Sequence, residues 1–241
     1  MNGEIRSWSE LKTALAQEAD EGYREFVMRG VPSERPFLGV RIPVIRRIVG
    51  RVAFENAAQM LREQPVVFEE VLARGMLVCR LPYLEMLEQF DAQVEQIDDW
   101  CSCDTFSSEV SRLARGHRTE FWEQKIDPLL TSPREFAVRT ALVIMKCGYL
   151  DFDHLGVIFD RVEGLAGREE YYVRMAIAWL LAECFIKFPD ETGAYLAASR
   201  LPEWTLGKSI SKICDSHRVA PEVKEYLRGR FRAEAGHKQR N

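Results

Sequence analysis

Three residues of this sequence have the chemistry to stabilise a positive charge together: Trp100, Asp104 and Trp179. Trp100 and Asp104 lie one helical turn apart in Asp98-Asp99-Trp100-Cys101-Ser102-Cys103-Asp104, which sets an indole beside a carboxylate. Trp179 belongs to the best-patterned helix of the chain but sits on the wrong side of it. The apolar positions Val173, Ala176, Ile177, Leu180, Leu181, Cys184, Phe185 and Phe188 follow the three-and-four spacing of one buried face. At about 100° per residue, Trp179 points roughly 150° from the centre of that stripe. Aromatic faces carry negative potential and a carboxylate carries a full charge, so an aromatic, carboxylate, aromatic set suits a cation.

Each of these residues also has a plain structural reading. Asp104 precedes an expected helix over 105–115 and could accept the Ser107 N–H as an N-cap, contributing about 1 kcal/mol. Capping and chemistry are compatible, because one oxygen can cap while the other faces a cleft. Opposite the core stripe of the Trp179 helix, Tyr172, Met175, Trp179, Ala182 and Ile186 form a second face. That face either lines a cleft or packs under another helix. In 133–147, Ala137, Val138, Ala141, Leu142 and Met145 make a core side, while Arg139 and Lys146 project together on the other. The pair could hold a phosphate or could be two ordinary surface cations.

The elements that must position these residues are helices. Almost every segment has helical periodicity and strand alternation is nearly absent, so the fold class is all-α. Helices are expected over 9–19, 21–29, 43–52, 55–63, 66–79, 83–96, 105–115, 119–130, 133–147, 151–162, 169–188, 191–198, 203–214 and 221–232. Pro65, Pro82, Pro133, Pro189, Pro202 and Pro221 mark the junctions, where a proline suits the first turn and stops the preceding helix. Short connections between many short helices predict antiparallel neighbours and a solenoid of degenerate repeats; the alternative is one irregular bundle.

With 241 residues, 46% hydrophobic and 29% charged, the chain can bury a core without staples as one generous domain or two small ones. Its start, Met1-Asn2-Gly3-Glu4-Ile5-Arg6, lacks the apolar core of a signal peptide, and no stretch has bilayer-spanning length. The expectation is a cytoplasmic protein. Cys79, Cys101, Cys103, Cys147, Cys184 and Cys214 are expected to be reduced, and the spacing of Cys101 and Cys103 does not suit zinc. No metal site is expected. A net charge of −4 argues against a protein that coats nucleic acid. The distribution is uneven: Arg41, Arg46, Arg47 and Arg51 cluster early, Lys224, Arg228, Arg230, Arg232, His237, Lys238 and Arg240 crowd the end, and acids gather over 85–99. Taken singly, each cluster reads as a solvated helix face.

Taken together, the motifs resemble the DNA alkylation repair family of HEAT-like repeat glycosylases. The resemblance is carried by Leu38-Gly39-Val40-Arg41-Ile42-Pro43 with Arg46-Arg47, by Trp100 with Asp104, by Arg139 in Val-Arg-Thr-Ala-Leu, and by Tyr172-Val173-Arg174-Met175-Ala176-Ile177-Ala178-Trp179. It extends from about residue 11 to residue 227, in the family's order. It implies a right-handed solenoid of HEAT-like repeats with a concave DNA-binding cleft; the repeat domain is expected over 1–232, and the basic cluster at the end is expected to form a flexible tail over 233–241. It further implies hydrolysis of the glycosidic bond of cationic 3- and 7-alkylpurines in duplex DNA, without drawing the base into a tight pocket. Trp100, Asp104 and Trp179 would then form the catalytic cluster. Arg139 would bind a phosphate, and Arg41, Arg46, Lys146, Lys208 and Lys212 would complete a basic rim. The implied enzyme is a monomer that uses water, no cofactor, no metal and no membrane; no nucleotide-binding glycine loop is present.

The sequence departs from the family's pattern at Asp98 and Asp99, acids placed where they would repel phosphate, and in a compressed amino-terminal region through Gly30-Val31-Pro32-Ser33-Glu34-Arg35-Pro36. The rival reading is a non-catalytic HEAT-like repeat protein that binds a DNA structure or a protein partner. A continuous basic rim would separate enzyme from binder. A purely structural reading expects Trp100 and Trp179 buried apart from each other.

Overall fold

The computed structural model describes residues 3–238, with side chains through residue 229. Among the described residues the structure is helical, apart from one isolated parallel bridge between Ile5 and Val52. No described helix is long and apolar enough to cross a membrane. The chain forms two compact units, Met1–Lys125 and Ile126–Asn241.

The first unit contains α1 (Trp8–Gln17), α2 (Glu21–Met28), α3 (Ile42–Val49), α4 (Phe54–Met60), α5 (Phe68–Val78), α6 (Tyr83–Val94), α7 (Trp100–Leu113) and the short α8 (Arg118–Phe121). Alternate helices pack in series: α1 on α3, α3 on α5, and α5 on α7. Helix α5 lies mid-series and is buried along its whole length, including Glu69, Glu70 and Arg74. Buried charges are costly without partners. Glu69 accepts the backbone N–H groups of Leu38, Gly39 and Val40 at 2.9, 2.8 and 3.1 Å. Arg74 donates to Gln93 Oε1 and to the Leu61 carbonyl, and Glu70 accepts the Val66 N–H with the Lys12 ammonium 3.7 Å away.

Three successive N–H groups converge on the Glu69 carboxylate because Gly39 takes φ +85°. A Cβ there would lie 2.1 Å from the Asp20 carbonyl oxygen and 2.8 Å from Arg24 N. Both the left-handed conformation and the close backbone approach therefore require glycine.

Helix α7 begins at Trp100, five residues before the expected start of 105. Its N-cap is Asp99, not Asp104: Asp99 Oδ1 accepts the N–H groups of Cys101 and Ser102 at 2.7 and 2.8 Å, and Oδ2 accepts the Ser102 hydroxyl at 2.6 Å. Asp99 can cap and be fully buried because three donors surround it.

The second unit contains α9 (Asp127–Leu130), α10 (Glu135–Gly148), α11 (Phe152–Gly164), α12 (Tyr171–Lys187), α13 (Pro189–Ala198), α14 (Glu203–Asp215) and α15 (Pro221–Lys238). Here α12 packs between α10 and α14, and α15 follows α14. Pro189 opens α13, Pro202 caps α14 and Pro221 opens α15, as the junction reading expects. The helix expected over 119–130 is broken into α8, a widened π turn at Trp122–Ile126, and α9. Pro128, in the first turn of α9, has no N–H to bond back to Gln124, so the ladder cannot continue regularly through it. Helix α15 runs past the expected end at 232 to Lys238. The rest of the expected tail (239–241, with Arg240) and the side chains of Arg230, Arg232, His237 and Lys238 lie outside the described residues.

Two stability predictions follow from this geometry. Gly39→Ala should lower unfolding free energy in urea by about 2–4 kcal/mol, from the left-handed conformation and the carbonyl clash together; a variant within experimental error of wild type would show that neither constrains the fold. The second concerns Asp99, whose carboxyl is pushed up to about 6 by burial, against the pull of the Ser102 and Cys101 hydrogen bonds toward the anion. A carboxyl raised above its unfolded value of 3.8 favours the native state below about pH 4, an advantage lost as pH rises through about 6. Asp99→Asn retains a capping oxygen without titrating. Wild-type stability relative to this variant should fall by on the order of 2–3 kcal/mol between pH 4 and pH 7, and a pH-independent difference would contradict the linkage.

Candidate active site and nucleic-acid interface

In the first unit, α7 carries both Trp100 and Asp104, one turn apart and each half-buried. The Trp100 indole N–H donates to the Gly30 carbonyl at 2.8 Å, which fixes the ring's rotation. Asp104 lies inside the helix, so the capping role considered for it belongs to Asp99. Between Trp100 and Asp104, Cys103 is buried in the core. The Cys101 thiol is pushed up to about 12 by burial first and then by the charges of Asp99 and Asp104. It stays protonated at neutral pH and offers no thiolate nucleophile. None of the six cysteines is joined in a disulfide.

Asp98 and Asp99 do not face outward as a pair of bare acids. Asp99 is the buried cap described above. Asp98 is half-buried, accepts the Ser33 hydroxyl at 3.0 Å and has the Arg35 Nε 3.7 Å away. The two expected phosphate ligands of this unit are paired as well. Arg41 donates to Asp20 at 2.9 Å and lies 4.3 Å from the centre of the Tyr23 ring, while Arg46 donates to Glu109. Burial works to raise the Glu109 carboxyl, but hydrogen bonds from Arg46 and Arg112 outweigh it and hold Glu109 below the usual carboxylate range. At neutral pH each of these two cations therefore faces an ionised acid.

In the second unit, α12 places Trp179 half-buried, with the Lys146 ammonium of α10 only 3.4 Å from its ring centre. At that distance the indole face is a cation site whose occupant is the protein's own lysine. The residues opposite the core stripe of α12 divide: Ala182 is buried, whereas Tyr172, Met175, Trp179 and Ile186 are half-buried. Helix α12 thus packs on both sides without swallowing its aromatic face.

Arg139 departs from the sequence expectation. The core residues foreseen for its helix are buried, but so are Thr140, Val143 and Ile144. Arg139 itself is only 6% exposed, donating to the Tyr172 carbonyl at 3.1 Å with its guanidinium carbon 5.9 Å from the Tyr172 ring. It does not project into solvent as a surface cation, because α10 is covered on more than the one face its periodicity reveals. Lys208 is exposed on α14, 5.6 Å from the Trp204 ring centre, and Lys212 is half-buried one turn further on.

Sequence alone assigns no role to Trp204, and none to Arg174 beyond its place in the motif that ends at Trp179. Trp204 is 36% exposed and has the Arg174 guanidinium 4.1 Å from its ring centre and the Tyr171 ring 6.0 Å away. The available signal was local: a tryptophan just after Pro202, with a lysine four residues on, is a first-turn aromatic beside a cation. Around it, Glu203, Trp204, Gly207, Lys208 and Ser211 line a shallow open concavity of about 490 Å³.

Of the expected phosphate ligands, Arg139, Lys146 and Lys208 of the second unit therefore lie near aromatic rings, while Arg41 and Arg46 of the first pair with carboxylates. Among the described residues, no group of three or more His, Cys, Asp or Glu side chains could hold a metal ion. No curated protein matches the chain. The family model described as DNA alkylation repair enzyme matches residues 11–213, a span that takes in α7 with Trp100 and Asp104, α10 with Arg139, and α12 with Trp179. Over that length the chain belongs to the DNA alkylation repair enzyme family.

Proposed function

We propose that the protein is a DNA glycosylase that hydrolyses the N-glycosidic bond of cationic 3- and 7-alkylpurines in duplex DNA, without tight base flipping. The observation that carries this reading is α7: a buried neighbour caps the helix, and Trp100 and Asp104 stand one turn apart on it. Alternate helices packed in series within each unit support a solenoid of HEAT-like repeats, with α7, α10, α12 and α14 supplying the functional side chains.

The proposed chemistry is simple in its proton demands. A purine alkylated at ring nitrogen 3 or 7 already bears a positive charge, so it departs as a neutral base when the C1′–N bond breaks and the electron pair stays with nitrogen. No general acid is needed. The sugar becomes oxocarbenium-like, and the Asp104 carboxylate with the Trp100 and Trp179 faces stabilises that charge more than the ground state. Water adds at C1′ and loses a proton, with Asp104 aligning it, which leaves an abasic site. Most enzymes that act on a base within a duplex extrude it first; here selectivity would follow leaving-group lability instead. Lys146 bears on this proposal because it holds the Trp179 face, so the developing sugar cation either displaces the ammonium or uses the opposite face. Lys208 and Lys212 would contact phosphates from α14. Arg139 would do so from a buried seat, pre-oriented by Tyr172. The enzyme would act as a cytoplasmic monomer with no cofactor.

One observation favours the second reading, a non-catalytic HEAT-like repeat protein that binds a DNA structure or a protein partner. Arg41 and Arg46 are already neutralised by Asp20 and Glu109, so the basic rim of the first unit is interrupted.

Release of 7-methylguanine from methylated duplex DNA separates the two. Wild-type protein should release it, and Asp104→Asn should retain the fold while losing about 100-fold or more in single-turnover rate; equal rates would take Asp104 out of the mechanism, and DNA binding with no release by either protein would establish the binder. Lys208→Ala should lower the dependence of log affinity on log salt by about 0.9, the signature of one lost phosphate contact to duplex. An unchanged slope would place Lys208 off the DNA.

A further inference from the structure

The segment over 29–37, which contains the stretch from Gly30 to Pro36, follows α2 and is secured on both sides of the carbonyl that receives the Trp100 indole. At its start, the N–H groups of Gly30 and Val31 both donate to the Val27 carbonyl, each at 3.0 Å, so Gly30 is wound onto the end of α2. At its end, the Pro36 carbonyl accepts the N–H of Phe68, the first residue of α5, at 3.0 Å, and Val31 and Phe37 are buried. Between these anchors Ser33 is the pivot: its hydroxyl donates to Asp98 at 3.0 Å and accepts the Arg35 N–H at 3.2 Å. The Arg35 guanidinium donates to the Pro65 carbonyl and to Gln96 Oε1 at 3.1 Å, and Nε lies 3.7 Å from Asp98. Ser33 and Arg35 therefore tie this segment to residues 96–98, which lead directly into Trp100.

We propose that segment 29–37 is a positioning device for Trp100: Ser33 and Arg35, acting through Asp98 and Gln96, hold the Gly30 carbonyl where it fixes the indole's orientation. This rests on the glycosylase reading for its effect on rate, though not for its effect on the ring. An indole stabilises a cation only through its face, so a ring loose about its side-chain torsions would lose that contact for part of the time. The hydrogen bond removes that looseness, and the clamp keeps the acceptor in register. Asp98, an acid that would repel DNA if bare, is thereby a structural tether. Neither Ser33 nor Arg35 touches the reacting atoms in this scheme; both are positioning residues.

The test combines a spectroscopic readout of Trp100 with excision kinetics. In protein labelled with ¹⁵N at tryptophan, the Trp100 indole N–H signal is assigned by its absence in Trp100→Phe. Ser33→Ala and Arg35→Met should move that signal toward the position of a water-exposed indole while the other four tryptophan signals stay in place. Both variants should excise 7-methylguanine about 10-fold more slowly in single turnover with duplex affinity unchanged, and Ser33→Thr, which keeps the hydroxyl, should restore signal and rate. An unmoved Trp100 signal in both variants overturns the clamp. A moved signal with wild-type rate overturns its role in positioning for catalysis. If wild-type protein excises nothing, the glycosylase reading falls, and the indole signal alone decides whether the segment holds Trp100.

Discussion

The start of α7 depends on where one buried carboxylate places its hydrogen bonds. Asp99 accepts two backbone N–H groups and a hydroxyl, and those contacts set Trp100 as the first helical residue and Asp104 as the fifth. Had the helix begun at 105, Trp100 and Asp104 would both lie in the preceding loop, with no fixed angular relation. The helix makes that relation a matter of covalent geometry, one turn and about 6 Å of rise. The same carboxylate works against its own burial, as its raised titration shows. The cap is thus a compromise in which local hydrogen bonds define a register and desolvation opposes the charge that makes them strong.

Elsewhere in the first unit, buried charge serves the same ordering purpose. Glu69 gathers the three N–H groups of the turn at Gly39 and fixes the approach to α3, the helix that carries Arg46. Arg74 and Gln93 join α5 to α6. These groups add little net stability, because desolvation offsets most of what their hydrogen bonds contribute. Their consequence is specificity: a slip of one residue would leave a buried carboxylate or guanidinium without partners, at a cost of about 3–5 kcal/mol.

How much of this the sequence disclosed depends on the range of each interaction. Periodicity identified most helices, and the stripes foreseen at Ala137, Val138, Ala141, Leu142 and Met145 and at Val173, Ala176, Ile177, Leu180 and Leu181 are buried. It failed where a second neighbour covers a helix, as at Thr140 and Arg139, because a pattern reports one core face and not how many partners surround it. Asp104 reads as a cap only because the expected helix starts at 105; Asp99, whose Oδ1 accepts the Ser102 N–H three residues on, lies at the end of an acidic cluster that reads as a solvated face. The break at Trp122–Ile126 was marked by Pro128, which lay inside an otherwise regular pattern. The Trp100 contact to Gly30 joins residues 70 apart and uses a backbone carbonyl, so no side-chain motif announces it. Pairing of Arg41 with Asp20 and of Arg46 with Glu109 was beyond reach because the partners lie 21 and 63 residues apart.

Helix α12 carries one further consequence. It is apolar almost all round, flanked by α10 and α14, and Trp179 extends from it alongside residues that form the core of the second unit. A helix exposed only at its ends, Tyr171 and Lys187, has few positions at which sequence can drift without effect on packing. The indole and its support would therefore diversify together, through compensated exchanges with α10 and α14 and not by single neutral steps. To alter the ring's surroundings is therefore to repack α10, α12 and α14 together.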